Sequence, residues 1–322
     1  MVPVLLITFN RPNHVRRVLG SLREQEVREL YVFQDGAREG NQSDEEKCAE
    51  CRRVIETEVD WECQVHTYYP ETNLGCGRGP LSAFAWFFKN VEMGIVMEDD
   101  CLPHPDFFGY CEELLHRYKD DEEVMYVATT LYDNRWKCEA SYGFSRYMVS
   151  GAWAAWSRLM EGYDFDLKDV DAKRFRSECR KLVLEKAESD WWYFKMKEIQ
   201  QDVKKKDYWD YQMQIHLFRA SGLVIHPASN LVSNIGFDAE GTHTSENDGR
   251  GNLPTYPILP LRHPEGKSVD QRMDSKAFAK THSRGLWKDT VMNLYRQMLY
   301  DEGIWHWLLQ LYKRMKHGGR TA

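Results

Sequence analysis

Three consecutive carboxylates, Glu98, Asp99 and Asp100, directly follow an apolar segment that has the composition of a buried strand, Glu92–Met97. Three acids at one strand end repel one another when all of them are ionised. A hard divalent cation, which prefers oxygen ligands, offsets this repulsion. The three residues, called the acidic triplet below, therefore indicate a site for Mn²⁺ or Mg²⁺ together with an oxygen-rich ligand.

Strand and helix patterns alternate along the chain before the acidic triplet. The predicted strands and helices are Val2–Phe9, Pro12–Glu24, Glu29–Asp35, Ser43–Thr57, Glu62–Tyr69 and Pro80–Asn90, in that order. Strands that alternate with helices predict right-handed crossovers and the mostly parallel sheet of an α/β protein. Ligands of such sheets bind at the carboxyl ends of the strands, so we expect the residues that follow each strand to meet at one edge.

The composition argues against some functions and indicates the cellular compartment of the protein. A net charge of −7 argues against a general nucleic-acid binder, which needs a basic surface. The N-terminal residues lack the pattern of a signal peptide, and no segment is long and apolar enough to span a bilayer, so we expect a cytoplasmic protein. The eight cysteines are then expected to be reduced thiols, and Cys48 and Cys51 to be structural, because no second pair completes a zinc site.

The chain is predicted to form one catalytic domain, residues 1–265, followed by a C-terminal helical segment, residues 266–322. Within the domain, residues 1–130 would bind the donor and residues 131–265 the acceptor. Residues 284–322 are basic and rich in tryptophan, which is typical of a helix on an anionic membrane surface. The more common alternative is that this segment packs its apolar face on the catalytic domain.

The ordered set of motifs resembles the metal-dependent glycosyltransferases of the GT-A fold, which use nucleotide-diphosphate sugars and a short acidic motif. Here the motif has the Glu-Asp-Asp form of the N-acetylglucosaminyltransferases that begin complex N-glycan branching, and a similar Pro-Asp-Phe-Phe helix start follows at Pro105–Phe108. The resemblance is weaker at Trp209-Asp210 and in the loop Gly236–His243. It implies a Rossmann-like sheet flanked by helices, with a C-terminal helical extension.

The resemblance also implies roles for the acidic triplet. Asp100 would be the direct ligand of the Mn²⁺ or Mg²⁺ ion, and Asp99 would contact the ribose or the ion's water shell. Glu98 would contact the donor sugar or contribute to the electrostatic field. His243 would bind the metal or the diphosphate, although an exposed loop histidine without a role is the simpler interpretation.

Further donor contacts are expected at the other strand ends. Phe9 and Arg11 follow the first strand and would reach the nucleotide or its phosphates, and Asp35 would accept a hydrogen bond from a uracil. Arg78, at a glycine-rich helix start, would assist diphosphate binding. The simpler interpretations are a surface salt bridge for Arg11 and a turn residue for Asp35. Asp210 is the expected catalytic base, with a helix-capping aspartate as the alternative.

The leading hypothesis is an inverting, metal-dependent glycosyltransferase that moves a sugar from a nucleotide-diphosphate donor, such as a UDP-sugar, to a hydroxyl of a glycan or glycolipid. A nucleotidyltransferase that makes sugar nucleotides is a second hypothesis, but its glycine-rich loop after the first strand is missing from residues 9–13. The third is a catalytically silent module that binds nucleotides or glycans, since fold does not fix function.

Overall fold

A computed structural model describes residues 1–131, 139–201, 208–237 and 251–282. The strands are β1 (Val4–Thr8), β2 (Glu29–Gln34), β3 (Gln64–Tyr68), β4 (Met93–Glu98), β5 (Cys101–Pro103), β6 (Val124–Ala128), β7 (Tyr142–Ser145), β8 (Ala152–Trp156), β9 (Leu223–Pro227) and β10 (Val232–Asn234). The helices are α1 (Pro12–Glu24), α2 (Gln42–Glu58), α3 (Gly75–Asn90), α4 (Asp106–Arg117), α5 (Ala172–Leu182), α6 (Lys186–Gln201), α7 (Asp210–Arg219) and α8 (Gln271–Thr281).

Eight strands form one sheet in the order β3-β2-β1-β4-β8-β6-β9-β7. The first four are mutually parallel, β6 is parallel to β9, and only β8 and β7 run antiparallel to their neighbours. Strands β5 and β10 form a separate antiparallel pair. This architecture confirms the predicted α/β fold with a mixed, mostly parallel sheet flanked by helices.

Strand β1 shows why the parallel strands are apolar throughout. Val4 and Leu6 pack on one face of the sheet in a cluster with Val15 of α1. Leu5 points to the other face, where it packs in a cluster with Phe84 of α3. Helices cover both faces of the sheet, so successive residues of the strand are all buried.

Two helix starts differ from the prediction. Helix α2 begins at Gln42, because Asn41, and not Ser43, accepts the capping hydrogen bond from the Asp44 amide. Helix α3 begins at Gly75, within the glycine-rich segment, and not at Pro80. Its first amides need partners outside the helix, and these come from a carboxylate on another strand, as described below.

A third hydrophobic cluster lies among helices α5 to α8 and includes Tyr147, Trp192 and Phe278. Asp274 joins α8 to the sheet, since its carboxylate accepts hydrogen bonds from the Ser145 hydroxyl and, at 2.9 Å, from the Arg146 amide. The part of the predicted C-terminal segment that contains α8 thus packs on β7 and on helix α6 as far as residue 282. The basic, tryptophan-rich residues 284–322 lie outside the described residues.

Within the described ranges, none of the helices combines the length and the apolar character needed to cross a bilayer.

The cysteines that the structure describes are all free thiols. Cys48 and Cys51 are buried on α2, as expected for structural residues.

Glu188 of α6 is a buried carboxyl group that is only partly hydrogen-bonded. Its side chain is 1 % exposed and accepts a hydrogen bond from the Tyr147 hydroxyl, whereas its other oxygen has no hydrogen-bond partner among the residues that the structure describes. Burial raises the pKa of Glu188 to about 7, and the hydrogen bond from Tyr147 opposes this shift. Between the ordinary pKa of 4.5 and about 7, the folded protein therefore keeps a proton that the unfolded chain releases.

This difference predicts that Glu188 makes the protein less stable as the pH rises from about 5 to 7.5, by up to roughly 3 kcal/mol. Gln cannot ionise, so Glu188→Gln should be more stable relative to the wild type at pH 7.5 than at pH 5. Urea unfolding at both pH values measures the effect. Glu39→Gln, at an exposed position, is the control, and an equal difference between Glu188→Gln and wild type at both pH values would contradict the prediction.

Candidate functional site

Strands β1, β2 and β4 end at the same edge of the sheet. Ile7 pairs with Glu98, and Thr8 pairs with Gln34. Beyond the strands, the Asp35 amide donates to the Thr8 carbonyl at 3.2 Å, and the Asp99 amide donates to the Ile7 carbonyl at 3.0 Å. The predicted meeting of the three strand ends is therefore confirmed.

Arg11 binds two members of the acidic triplet. Its Nη1 donates to Asp100 Oδ2 at 3.1 Å, and its Nη2 donates to Asp99 Oδ1. Asp99 is 2 % exposed, and burial raises its pKa to about 6 even though the charge of Arg11 lowers it. Burial lowers the pKa of Arg11, but the charges of Asp99 and Asp100 raise it overall. The Arg11 side chain is 18 % exposed, so its guanidinium is a partly buried counter-charge to these two carboxylates.

The β5–β10 pair positions Asp100 from the other side. The Asn234 side chain donates to Asp100 Oδ1 at 3.2 Å, and the Ile235 amide donates to the Asp100 carbonyl at 2.8 Å. At Gly236, an added Cβ would lie 2.3 Å from Asp100 Oδ2, so only glycine allows this close approach. Sequence reasoning treated Gly236 as part of a loop and missed Asn234 as a partner of the acidic triplet.

Glu98 is the third member of the acidic triplet, and its pKa is raised. Burial is the main cause, the charges of Asp100, Asp99 and Asp210 add to the shift, and Arg11 opposes it. Three carboxyl groups share one guanidinium here, so their charges are not balanced when all three are ionised. A divalent cation would balance them, and carboxylate oxygens are the ligands that Mg²⁺ and Mn²⁺ take.

In the described part of the chain, no group of three or more His, Cys, Asp or Glu side chains is placed to hold a metal ion by itself. The acidic triplet fits a cation that keeps substrate oxygens or water among its ligands, as Mg²⁺ commonly does. His243, the second predicted metal ligand, lies outside the described residues.

Asp35 joins the end of β2 to the start of α3. Its carboxylate accepts hydrogen bonds from the amides of Gly36, Leu74 and Gly75 at 2.9, 2.8 and 3.0 Å. The Asn73 side chain donates a further bond at 3.1 Å. A carboxylate has about four acceptor positions, so the predicted hydrogen bond to a uracil would have to replace one of these bonds.

The other predicted donor-binding residues lie near this edge of the sheet. The Phe9 amide donates to Asp99 Oδ2 at 3.3 Å, and its ring contacts the guanidinium of Arg38. Arg78, in the first turn of α3, donates to Asp166 Oδ1 at 3.1 Å and lies over the ring of Phe165. The contacts predicted for Phe9 and Arg78 with a donor stay predictions.

Asp210 is the first residue of α7, and it is half-buried. Its Oδ1 accepts a hydrogen bond from the Tyr211 amide at 2.9 Å, which is a helix-start interaction. Burial raises the pKa of Asp210, and the charge of Asp210 contributes to the raised pKa of Glu98. The carboxylate that was predicted as the base therefore lies within electrostatic range of the acidic triplet.

A cavity of about 180 Å³ lies beside Asp210 and is called the α8 cavity below. Its walls come from β7, from the segment 147–150, and from helices α6, α7 and α8. The segment 147–150 also leads to Gly151, whose carbonyl accepts the Glu98 amide at 3.0 Å. The sequence analysis did not predict that a helix of the C-terminal segment would line this cavity. The start of that helix is recognisable in the sequence, because Asp270 is its capping residue.

No model of a protein family matches the chain, and no curated protein matches it. Solved structures similar to it include HddC from Yersinia pseudotuberculosis, at 12 % identity and TM-score 0.31 over 51 % of this chain and 80 % of that one. Another is 4-diphosphocytidyl-2C-methyl-D-erythritol synthase from Anaerococcus prevotii, at 10 % identity and TM-score 0.30 over 49 % and 73 %.

A third similar structure is named for a glucose-1-phosphate thymidylyltransferase from Bacillus anthracis, at 11 % identity and TM-score 0.33 over 61 % of this chain and 83 % of that one. At these identities and TM-scores, the likenesses carry no conclusion about activity or substrate.

Proposed function

We propose that the protein is an inverting, metal-dependent glycosyltransferase that moves a sugar from a nucleotide-diphosphate donor, such as a UDP-sugar, to a hydroxyl of a glycan or glycolipid. One observation carries the proposal: the acidic triplet lies at a parallel-sheet edge, and a second carboxylate, Asp210, lines a cavity whose wall 147–150 leads to Gly151, which is hydrogen-bonded to Glu98. The first feature suits a metal-bound diphosphate, and the second suits a base for an acceptor hydroxyl.

The donor residues would act as follows. Asp100, with the diphosphate oxygens, would hold Mn²⁺ or Mg²⁺, and the bound ion supplies positive charge beside the departing diphosphate. Asp99 would contact the ribose or water on the ion, and Glu98 would contact the donor sugar. Arg11 keeps Asp99 and Asp100 in place.

Asp210 would remove the proton from the acceptor hydroxyl. The acceptor oxygen then forms a bond to the anomeric carbon while the bond from that carbon to the diphosphate oxygen breaks, so the configuration inverts. The raised pKa of Asp210 suits this role, because a more basic carboxylate takes up the proton more readily.

Sugar-nucleotide nucleotidyltransfer is the competing proposal, because the same strand edge could hold a metal-bound nucleoside triphosphate. The two reactions release different products. Transfer of sugar releases a nucleoside diphosphate, whereas nucleotidyltransfer from a triphosphate to a sugar phosphate releases pyrophosphate. A silent binding module would release neither product.

Calorimetry with a panel of nucleotide sugars, with and without Mn²⁺, tests the proposal. We expect a UDP-sugar to bind with Mn²⁺ and Asp100→Ala to weaken this binding at least tenfold, because second-shell changes alone can weaken metal affinity by about this factor. Asp120→Ala, an exposed acid, is the control and should bind as the wild type does. If no nucleotide sugar binds the wild type in the presence of metal, the proposal is wrong.

A further inference from the structure

The α8 cavity combines aromatic, apolar and polar walls. Strands β7 and β9, helices α6, α7 and α8 and the segment 147–150 line it, and the lining residues include Tyr147, Trp192, Asp210, Tyr211, Met273 and Ala277. Large aromatic faces with a few placed polar groups are the usual composition of a small-molecule site. The carboxylate of Asp210 is the polar group that the cavity shares with the proposed catalytic centre.

Hydrogen bonds hold the walls of the cavity in place. The Gln214 side chain donates to the Arg146 carbonyl at 2.8 Å and accepts from the Met148 amide at 2.9 Å, which fixes the segment that leaves β7. Asp274 holds α8 against Ser145 and Arg146. The cavity is therefore formed by the fold itself and does not depend on a ligand.

The size of the cavity suits one ring. The cavity volume of about 180 Å³ is sufficient for a single sugar ring. The apolar face of a pyranose can pack on Tyr211 or Met273, which are partly exposed, and its hydroxyls can reach Asp210.

The charges of the lining favour a neutral ring. Asp210 and Asp274 both contribute carboxylates to the walls, while Lys276 is an exposed residue of α8. Asp274 is already bonded to Ser145 and Arg146, so Asp210 is the carboxylate that would face a ligand hydroxyl. A carboxylate on the ligand would be repelled by these two acids.

We propose that the α8 cavity is the subsite for the terminal ring of the acceptor, that this ring is an uncharged pyranose with a hydroxyl directed at Asp210, and that α8 determines which ring fits. This inference rests on the proposed glycosyl transfer. It goes further in assigning the acceptor class and in giving part of the predicted C-terminal segment a role in specificity.

The test compares two identical substitutions on one helix. Ala277 lines the cavity, whereas Ala279 is exposed. Ala277→Phe should fill the cavity and raise the KM for methyl glycoside acceptors at least tenfold, or abolish transfer. Its affinity for the UDP-sugar and its slow hydrolysis of that donor should stay within twofold of the wild type. Ala279→Phe should match the wild type in every measurement.

Met273→Ala, which enlarges the cavity, provides a second variant with the opposite expected effect. It should lower the KM for glycosides that carry a bulkier ring substituent. Independently of any variant, methyl glycosides of neutral sugars should show NMR saturation transfer from aromatic protons of the wild type in the presence of UDP and the diamagnetic ion Mg²⁺. Glycosides of uronic acids should show less.

The outcomes separate the two proposals. If the wild type binds no nucleotide sugar, the proposed function fails. If the donor binds and is transferred, but Ala277→Phe uses acceptors as well as Ala279→Phe does, the acceptor subsite is wrong and the proposed function stands. Absence of saturation transfer for every neutral glycoside would also overturn the subsite, as would stronger transfer to uronic acid glycosides than to neutral ones.

Discussion

Asp210→Asn is expected to slow sugar transfer by roughly 10²- to 10⁴-fold while nucleotide-sugar binding stays unchanged. Asparagine keeps the shape of the side chain but cannot accept the proton of the acceptor hydroxyl. Steady-state kinetics would measure transfer, and calorimetry would measure donor binding. In the wild type the rate should rise with pH as Asp210 ionises, and this rise should be lost in the variant.

Asp171→Asn is the matched control, because Asp171 also lies at a helix start and is exposed. It should leave both transfer and donor binding unchanged. Undiminished turnover in Asp210→Asn would show that another group removes the proton. Loss of donor binding in that variant would instead show that Asp210 serves the donor site.

Arg11→Met is expected to lower the free energy of unfolding by about 3–5 kcal/mol at pH 7.5, because it leaves the buried carboxylates of Asp99 and Asp100 without their counter-charge. Without Arg11, these carboxylates should take up protons more readily in the folded state than in the unfolded chain. Stability of the variant should therefore recover as the pH falls. Urea unfolding at pH 7.5 and pH 5.5 measures both effects.

Arg16→Met is the control variant for Arg11→Met. Arg16 also pairs with two acids, Glu50 and Glu58, but its side chain is 41 % exposed. Exposed ion pairs contribute about 0–1 kcal/mol, so this variant should be close to the wild type. Equal losses in the two variants would mean that the Arg11 pairs contribute no more than surface pairs do.

The sequence was sufficient to predict the elements that depend on local pattern. Strand β1 is buried on both faces, so it appears as an unbroken apolar run, and α1 begins at Pro12, where the missing amide hydrogen costs nothing. The alternation of such strands with helices then predicted the parallel part of the sheet. The common edge of the strand ends followed from that topology.

Contacts between distant parts of the chain could not be predicted in this way. Arg11 and Asp100 lie 89 positions apart, and Ser145 and Asp274 lie 129 apart. The start of α3 was misplaced for the same reason, since the acceptor for its first amides is Asp35 on another strand. Local patterns show that a charge or an amide needs a partner, but the partner is chosen by the tertiary fold.

The pairing of β4 with β8 along five residues joins the parallel strands β3, β2, β1 and β4 to the strands β6, β9 and β7 in one uninterrupted sheet. A hinge rotation of one group of strands against the other would break these backbone hydrogen bonds. The relative placement of the two groups of strands is thus established when the chain folds, before any substrate arrives.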